Sequence, residues 1–396
     1  MPVNIDFDNT EIAFRSQTDE DLKASHFLFK ALSYQTLVQL GPEMVNFALA
    51  WRLPVKRPVK RTIFRQFCGG ETFEECRDTI EVLSRDGIRT MLDYAVEGRE
   101  TEDDFENTCQ VVLSTIEKAA EIPAIRTCVI KFTGLARFAL LEKVSTGTTL
   151  DESEMREWQK VVGRVSRLCQ AAAKANTSVF VDAEESWIQG GIDDLALEMM
   201  AEYNRDRTVV FNTVQLYRWG RLEFLQRIEE DARKRGYRAG IKMVRGAYLE
   251  KEQEWADKQG VKPAVHTKKE DTDSDFDEAL RYVVEHLDSF SLCAATHNEA
   301  STRLLVRLME EKGIEPSDPL VEFSQLYGMG NHLTYNLGHH GFNASKYVPY
   351  GPVELVVPYL TRRAQENSSV AGTTSRELGL VTKEMKRRRL TRSSTP

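Results

Sequence analysis

The chain has 396 residues, of which 41% are hydrophobic and 29% charged, and these proportions are typical of a globular protein with a large core. Its net charge of -8 argues against a nucleic-acid-binding protein, which needs a basic surface. No apolar run is long enough to cross a bilayer, and the acidic first twenty residues resemble neither a signal peptide nor an Arg-rich transit peptide.

The cysteines are scattered along the chain without C-x-x-C spacing, and several fall on apolar faces of predicted elements. We therefore expect reduced, mostly buried thiols in a reducing compartment, and neither a zinc site nor a disulfide. The six residues are Cys68, Cys76, Cys109, Cys128, Cys169 and Cys293.

Eight short β-branched runs alternate with segments of helical period from about residue 70 onward. This alternation is the pattern of parallel strands joined by helical crossovers, and eight repeats favour closure into a barrel. We predict an α/β fold, a (βα)8 TIM-like barrel with an N-terminal helical arm. The predicted strands are residues 89–94, 127–133, 178–183, 208–214, 241–245, 292–296, 320–325 and 345–349.

The domain boundaries follow from where this alternation begins and ends. No Pro/Gly/Ser-rich linker divides the chain, so we predict one catalytic barrel domain over residues 66–385. Residues 1–65 are expected to form the helical arm, in which Leu22 and Phe29 belong to an apolar stripe that must cover part of the barrel or a partner. Residues 386–396 are basic and are expected to form a disordered tail.

Barrels of this type build their sites at the carboxyl ends of the strands, and almost every predicted strand places a polar side chain there. An inward lysine such as Lys131 is costly in a core without a partner, whereas an anion at the barrel mouth compensates its charge. The strand-end residues are Asp93, Glu97, Lys131, Asp182, Gln215, Lys242, Arg245, His297, Asn298, Gln325 and Tyr347.

Two adjacent arginines near the C-terminus form a potential receptor for a small anion. Arg362 and Arg363 lie about 100° apart on a predicted helix, so both can grip one carboxylate. Glu366, one turn later, can hold one of the two guanidinium groups in place. The alternative is a solvated basic face, since exposed Arg/Glu pairs are common and individually weak.

Two glycine motifs follow predicted strands. Lys242 and Arg245 lie in a predicted strand, and Gly246 follows it. Backbone N–H groups at this glycine can approach a flavin ring or a phosphate closely, and a plain turn is the alternative. The motif Gly328-Met329-Gly330 lacks the third glycine and the downstream acid of a dinucleotide fingerprint, so we interpret it as a tight turn.

The remaining polar residues exclude several kinds of catalysis. His332, His339 and His340 have no ligand-spaced partners and are expected at the surface, and only His297 lies at a strand end. No Ser/His/Asp order, C-x-x-C or H-E-x-x-H pattern is present, which removes acyl transfer and zinc hydrolysis as leading options. A cationic barrel mouth with few candidate bases suits hydride transfer to a bound cofactor.

Seven motifs carry a resemblance to a known family. Through them, residues 60–385 resemble the proline dehydrogenase family, and together the motifs are very specific. They are Leu92-Asp93-Tyr94, Val181-Asp182-Ala183-Glu184, Lys242 to Tyr248, Ala295-Thr296-His297-Asn298, Leu326-Tyr327-Gly328-Met329-Gly330, Tyr347-Val348-Pro349-Tyr350-Gly351 and Tyr359 to Asn367.

The resemblance implies a flavin enzyme of the first step of proline catabolism. L-proline is then oxidised to 1-pyrroline-5-carboxylate by hydride transfer to FAD, and the electrons pass to a quinone. The residues that the resemblance assigns to FAD are Asp182, Ala183, Gln215, Lys242, Val244, Gly246, Thr267, Lys268, His297, Asn298, Gln325 and Glu366.

The resemblance also implies roles around the substrate. Arg362, Arg363 and Lys131 are assigned to the proline carboxylate. The residues assigned to packing around the ring are Tyr248, Leu326 and Tyr347, and Glu97 is assigned to pair with Arg362 and close the pocket. The bifunctional bacterial members carry an arginine where this chain has Lys242, so the charge is kept while the hydrogen bonding near flavin N5 differs.

Location and partners complete the expectations. We expect a monofunctional bacterial enzyme in the cytoplasm. The basic clusters 56–61 and 386–389 are expected to be solvated faces, and peripheral contact of these clusters with the inner membrane is the alternative. The matrix side of the mitochondrial inner membrane is the alternative location.

Two competing functions are an aldolase or isomerase with Lys131 as Schiff base, and a regulatory barrel that binds an amino acid without turnover.

Overall fold

The structure, a computed structural model, describes residues 5–34, 56–96, 98–369 and 373–390. The side chains of residues 365–369, 373 and 374 lie outside this description. Among the described residues, no helix is both long enough and apolar enough to cross a membrane.

Eight strands form a closed barrel in chain order, which confirms the predicted (βα)8 TIM-like fold. Strands β1 to β7 pair in parallel with their neighbours. Each strand overlaps its predicted range, and the ends differ by no more than three residues. The strands are β1 Arg89–Tyr94, β2 Ile125–Ile130, β3 Ser178–Val181, β4 Val210–Gln215, β5 Ala239–Val244, β6 Phe290–Ala295, β7 Val321–Leu326 and β8 Ala344–Tyr350.

Helices alternate with these strands, and some of them begin at a side-chain cap. The helix Glu102–Ala119 begins after Thr101, whose hydroxyl accepts from the backbone N–H of Asp104. The other helices are Thr10–Ala13, Asp19–Leu32, Lys56–Val59, the π-helical Lys60–Phe64, Arg65–Phe67, Phe73–Arg85, the 3-10 turn Phe132–Gly134, Phe138–Ser145, Glu152–Lys174, Ser186–Tyr203, Arg221–Arg235, Leu249–Gln259, Lys269–Glu285, Glu299–Glu311, Asn331–His339, Val353–Ser369 and Thr373–Arg387.

The barrel strands are buried on both faces, which explains their nearly continuous apolar sequences. Cys128, Val129 and Ile130 of β2 are all buried, and so is every residue of β8. All six cysteines of the chain are buried thiols, as predicted.

The chain divides into two compact units. Thr90–Ser324 forms one of them, and Asn4–Arg89 together with Gln325–Pro396 form the other. In the second unit, the helix Asp19–Leu32 packs against the helix Thr373–Arg387. Leu22 and Phe29 are buried there, so the predicted apolar stripe covers another helix of its own unit.

Both basic clusters form ion pairs with acidic side chains of the same chain. Lys56 and Lys60 bind Glu71 at 3.2 and 2.7 Å. At the C-terminal end, the last helix extends through Arg387, and the guanidinium of Arg388 donates to the backbone oxygen of Phe14 at 2.8 Å. The described residues include 386–390 of the predicted tail.

Candidate active site

Four charged side chains meet at the carboxyl ends of the strands in the unit Thr90–Ser324. The ammonium of Lys131, directly after β2, donates to Asp93 of β1 at 2.7 Å and to Asp182, directly after β3, at 3.1 Å. The other oxygen of Asp182 accepts from Lys242 of β5 at 2.6 Å. We call Asp93, Lys131, Asp182 and Lys242 the charge cluster; its two positive and two negative charges alternate.

The charge cluster explains how two lysines can be buried at this barrel end. Lys131 and Lys242 are both buried, and an isolated buried ammonium is strongly unfavourable. The sequence suggested an external anion as the compensating charge of Lys131, whereas the structure supplies two carboxylates. The cluster is therefore formally neutral, and a bound anion is not needed to make it stable.

The loop after β3, which carries Asp182, is fixed by the next carboxylate. Glu184 is buried and accepts from the backbone N–H and the hydroxyl of Thr133 at 3.0 and 2.5 Å. Its own backbone N–H donates to Gln189 at 2.8 Å, and its carbonyl oxygen accepts from the amide of Gln215 at 3.0 Å. Ala183 lies in this loop and is partly exposed. These bonds connect the ends of β2, β3 and β4.

The end of β5 shows why a glycine is needed there. Val244 is the last residue of β5, and Gly246 follows with φ +134°, a conformation that side-chain-bearing residues rarely adopt. A Cβ atom on Gly246 would lie 2.4 Å from the ring of Tyr217. Tyr248, two residues on, is buried, and the ammonium of Lys251 lies 5.5 Å from its ring centre.

Replacing Gly246 with Ala is expected to lower the free energy of unfolding by about 2–4 kcal/mol, because a strained backbone and a clash with a buried ring add together. Urea unfolding followed by circular dichroism measures this change. The matched control is Gly260, which also has positive φ, but a Cβ atom there would meet no heavy atom of the described residues within 4 Å. Gly260→Ala is expected to cost about 1 kcal/mol. Equal costs for the two variants would contradict the role of Tyr217.

Arg245 ties the end of β5 to the helices Lys269–Glu285 and Glu299–Glu311. Its guanidinium donates to Asp273 at 2.6 Å, to Thr296 at 2.6 Å and to Ser301 at 2.9 Å, and it lies 4.4 Å from the ring centre of Phe276. Partial burial works to raise the pKa of Asp273, yet hydrogen bonds from its cationic neighbours outweigh burial and leave this pKa below its ordinary value. The guanidinium of Arg245 thus binds side chains of the protein itself and holds the end of β5 in place.

Two predicted residues follow β6. Asn298 belongs to the network of Arg245, and His297 lies beside it. Asn298 caps the helix Glu299–Glu311 and donates to Asp273 at 3.3 Å, and His297 precedes it, partly exposed. Thr267 and Lys268 stand before the helix Lys269–Glu285 and are both exposed.

Three further predicted residues lie on β7 and β8, in the unit formed by Asn4–Arg89 and Gln325–Pro396. Gln325 is buried in β7 and accepts from the hydroxyl of Thr334 at 2.7 Å. Leu326 is the last residue of β7 and is partly exposed. Tyr347 is buried in β8, and its carbonyl oxygen accepts from the backbone N–H of Tyr327 at 2.9 Å.

The arginine pair lies on the helix Val353–Ser369, as predicted. Arg363 is 8% exposed, and its guanidinium lies 5.2 Å from the ring centre of Tyr359. Arg362 is partly exposed. A fully solvated basic face is therefore wrong for Arg363. Glu97 and the side chain of Glu366 lie outside the described residues.

Among the residues that sequence reasoning missed are two buried charged side chains, and it also misplaced a histidine. Lys346 of β8 and Glu377 of the last helix are both buried, and the position of Lys346 inside a predicted barrel strand could have signalled the lysine. His332 was expected at the surface but is buried, and burial lowers its pKa to about 3. Its neighbours in the helix Asn331–His339 are also buried polar residues, so polarity was a poor guide to exposure there.

Comparison with known proteins gives consistent matches. A sequence profile described as "Proline dehydrogenase" matches residues 76–376. "Carbapenem antibiotics biosynthesis protein CarD" of Pectobacterium carotovorum subsp. carotovorum is 38% identical over 322 residues, which cover 81% of this chain and 83% of that protein. "Proline dehydrogenase 1, mitochondrial" of Arabidopsis thaliana is 30% identical over 431 residues, covering 97% of this chain and 86% of that protein.

A solved structure shares the fold. Proline utilization A (PutA) from Bdellovibrio bacteriovorus, inactivated by N-propargylglycine, superposes with a TM-score of 0.72 at 17% identity. The match covers 93% of this chain and 40% of the PutA chain, so this chain spans less than half of that protein.

Proposed function

The chain belongs to the proline dehydrogenase family of oxidoreductases, and from that premise we propose that it oxidises L-proline to 1-pyrroline-5-carboxylate, with FAD as hydride acceptor and a quinone as the final electron acceptor. The observation that supports this most strongly is the family match over residues 76–376, which contains the whole charge cluster. The reaction is the first step of proline catabolism.

The strand ends have groups that fit a flavin ring. An isoalloxazine offers one N–H donor and several acceptors along its edge. Among the described residues, the buried side-chain oxygen of Gln215 has no hydrogen-bond partner, and it is an acceptor for that donor. Lys242, on the neighbouring strand, is a donor for an acceptor atom, and its charge favours a reduced, anionic ring.

The other FAD contacts are proposed on the family resemblance together with their positions. Asp182 fixes the ammonium of Lys242, and Gly246 allows close approach of the backbone. Most of the rest lie at strand ends or in the loops between a strand and the next helix, and Glu366 lies within the helix Val353–Ser369. They are Ala183, Val244, Thr267, Lys268, His297, Asn298, Gln325 and Glu366.

The substrate carboxylate is proposed to bind Arg362, Arg363 and Lys131. Each charge-assisted hydrogen bond contributes about 1.5–3 kcal/mol, so three of them can hold a small anion against the cost of immobilising it. Because Lys131 is already balanced by Asp93 and Asp182, the arginines supply the surplus positive charge. Tyr248, Leu326 and Tyr347 are proposed to pack around the ring, and Glu97 to pair with Arg362.

In the proposed mechanism this chain positions the substrate and excludes water. The flavin, when bound, supplies the acceptor for the hydride that leaves C5 of proline. The arginines orient the carboxylate and so fix where C5 points, and the apolar parts of Tyr248, Leu326 and Tyr347 hold the ring away from water. The amine enters the reaction neutral, and loss of the hydride turns the C5–N bond into the double bond of a protonated cyclic imine. The remaining N–H proton passes to solvent when the product is released.

We propose the cytoplasm as the location, with peripheral contact at the inner membrane to reach the quinone; the bacterial relative supports this choice. The matrix side of the mitochondrial inner membrane is the alternative, which the Arabidopsis relative supports. The ion pairs that the two basic clusters form with nearby glutamates favour solvated faces over a basic membrane anchor.

The competing functions have less support. A Schiff-base enzyme needs a neutral, accessible amine, whereas the ammonium of Lys131 is held between two carboxylates. A sensor without turnover predicts binding of proline but no product.

Product formation tests the proposal. Incubation with L-proline and a soluble quinone is expected to yield 1-pyrroline-5-carboxylate, which o-aminobenzaldehyde traps as a coloured adduct. D-proline is the control and is expected to give little product. Proline binding without trapped product would support the sensor instead.

A further inference from the structure

The turn after β7 is held from one side by a buried lysine. We call residues Leu326–Gly330 the β7 turn. The ammonium of Lys346, on β8, donates to the backbone oxygen of Leu326 at 3.2 Å and to that of Met329. Lys346 is 1% exposed, so its charge has been moved out of water to bind two carbonyl groups that solvent could otherwise hydrate.

The same turn is held from two other segments of its compact unit. Glu377, on the helix Thr373–Arg387 and 4% exposed, accepts from the backbone N–H of Gly330 at 2.7 Å. Gln66, in the helix Arg65–Phe67, donates to the backbone oxygen of Gly328 at 2.6 Å and accepts from Ser25 at 2.8 Å. Three segments far apart in sequence thus bind one five-residue turn.

The packing leaves this turn little freedom. Gly328 has φ +81°, and a Cβ atom there would lie 1.9 Å from the backbone oxygen of Gln66. Burial works to lower the pKa of Lys346 and to raise that of Glu377, and each charge partly offsets the burial of the other. A fold seldom needs two buried charges merely to close a turn, and this turn lies at the carboxyl end of a barrel strand, where barrel sites are built.

We propose that Lys346 and Glu377 are positioning residues that fix the β7 turn, and with it the side chain of Leu326, and so set the ring size of the cyclic amino acid that the enzyme accepts. This inference rests on the proposed function, in which Leu326 packs against the substrate ring. A fixed Leu326 side chain leaves room for a five-membered ring and excludes a larger one. When the β7 turn is loosened, this side chain can move aside for the larger ring.

The test compares L-proline with L-pipecolate, which has a six-membered ring. Lys346→Met removes two hydrogen bonds to the turn and Glu377→Met removes one. Each variant is expected to raise the KM for L-proline and to narrow the proline-to-pipecolate ratio of kcat/KM by at least about tenfold, the factor that corresponds to one hydrogen bond. FAD content is expected to stay that of the parent. Glu377→Gln keeps an acceptor for Gly330 and is expected to retain the parental ratio. Lys383→Met, at an exposed lysine of the same helix, is the matched control.

A ratio that stays within twofold of the parent in flavin-loaded Lys346→Met and Glu377→Met would overturn the inference. If either variant does not fold, Gln66→Ala removes a bond to the same turn from a partly exposed residue and is expected to narrow the ratio in the same direction. If the parent does not reduce its flavin with L-proline, the proposed function and the specificity role both fail. Amide hydrogen exchange at Gly330 is expected to be faster in Glu377→Met than in the parent. This measurement tests whether Glu377 fixes the β7 turn without depending on catalysis.

Discussion

Arg363→Met is expected to raise the KM for L-proline by at least about a hundredfold, with the flavin content unchanged. Arg363 is proposed to bind the carboxylate as a bidentate partner, and the loss of two charge-assisted bonds costs about 3–6 kcal/mol. Because the carboxylate is held throughout the reaction, the substrate and the transition state lose this binding together, so kcat changes much less than KM. Met keeps most of the side-chain bulk beside Tyr359, so packing is largely preserved. Steady-state kinetics with L-proline measure the effect.

The control for this prediction is Arg307→Met, the same change at an exposed arginine on the helix Glu299–Glu311. It is expected to leave KM unchanged, since a surface ion pair contributes little. A KM within twofold of the parent in flavin-loaded Arg363→Met would show that this guanidinium does not bind the substrate.

Asp182→Asn is expected to destabilise the protein and to release its flavin. The carboxylate of Asp182 is the acceptor shared by Lys131 and Lys242, so its loss leaves two buried ammoniums with Asp93 as the remaining carboxylate of the cluster. Breaking a buried ion pair from one side costs about 3–5 kcal/mol. Urea unfolding measures the stability, and the absorbance of the protein after gel filtration measures the retained flavin.

Asp288→Asn is the matched control for Asp182→Asn, because Asp288 pairs with Arg233 at an exposed site. Its expected cost is at most about 1 kcal/mol. An Asp182→Asn protein that unfolds like the parent and keeps its flavin would mean that the charge cluster does not support the cofactor.

The barrel was predictable because its signal is repeated. Each strand is an apolar run bounded by turn residues, and eight repeats leave few other topologies. The ends of the strands were predicted less accurately than their number and order. Lys131 was placed inside the second strand, but β2 ends at Ile130 and the lysine immediately precedes the 3-10 turn Phe132–Gly134.

The pairing of the site residues was not predictable from one sequence. Lys131, Asp182 and Lys242 were each identified, but their mutual contacts depend on the register of β2, β3 and β5. Asp93 was noted at a strand end, whereas its bond to Lys131 was not foreseen. A single-residue change of register would have turned these side chains away from each other.

Buried polar residues were the main source of error. His332 was misplaced because a helix of polar residues looks exposed, although hydrogen bonds between those residues and their neighbours allow burial. Glu377 was missed for a related reason, since its partner is a backbone N–H that carries no sequence signal.

The absorbance spectrum of the purified protein under anaerobic conditions, before and after addition of L-proline, tests the central claim most directly. We expect oxidised flavin bands that L-proline bleaches and that return when a quinone is added. A colourless protein that does not take up FAD, or flavin bands that L-proline leaves unchanged, would contradict the proposed proline oxidation.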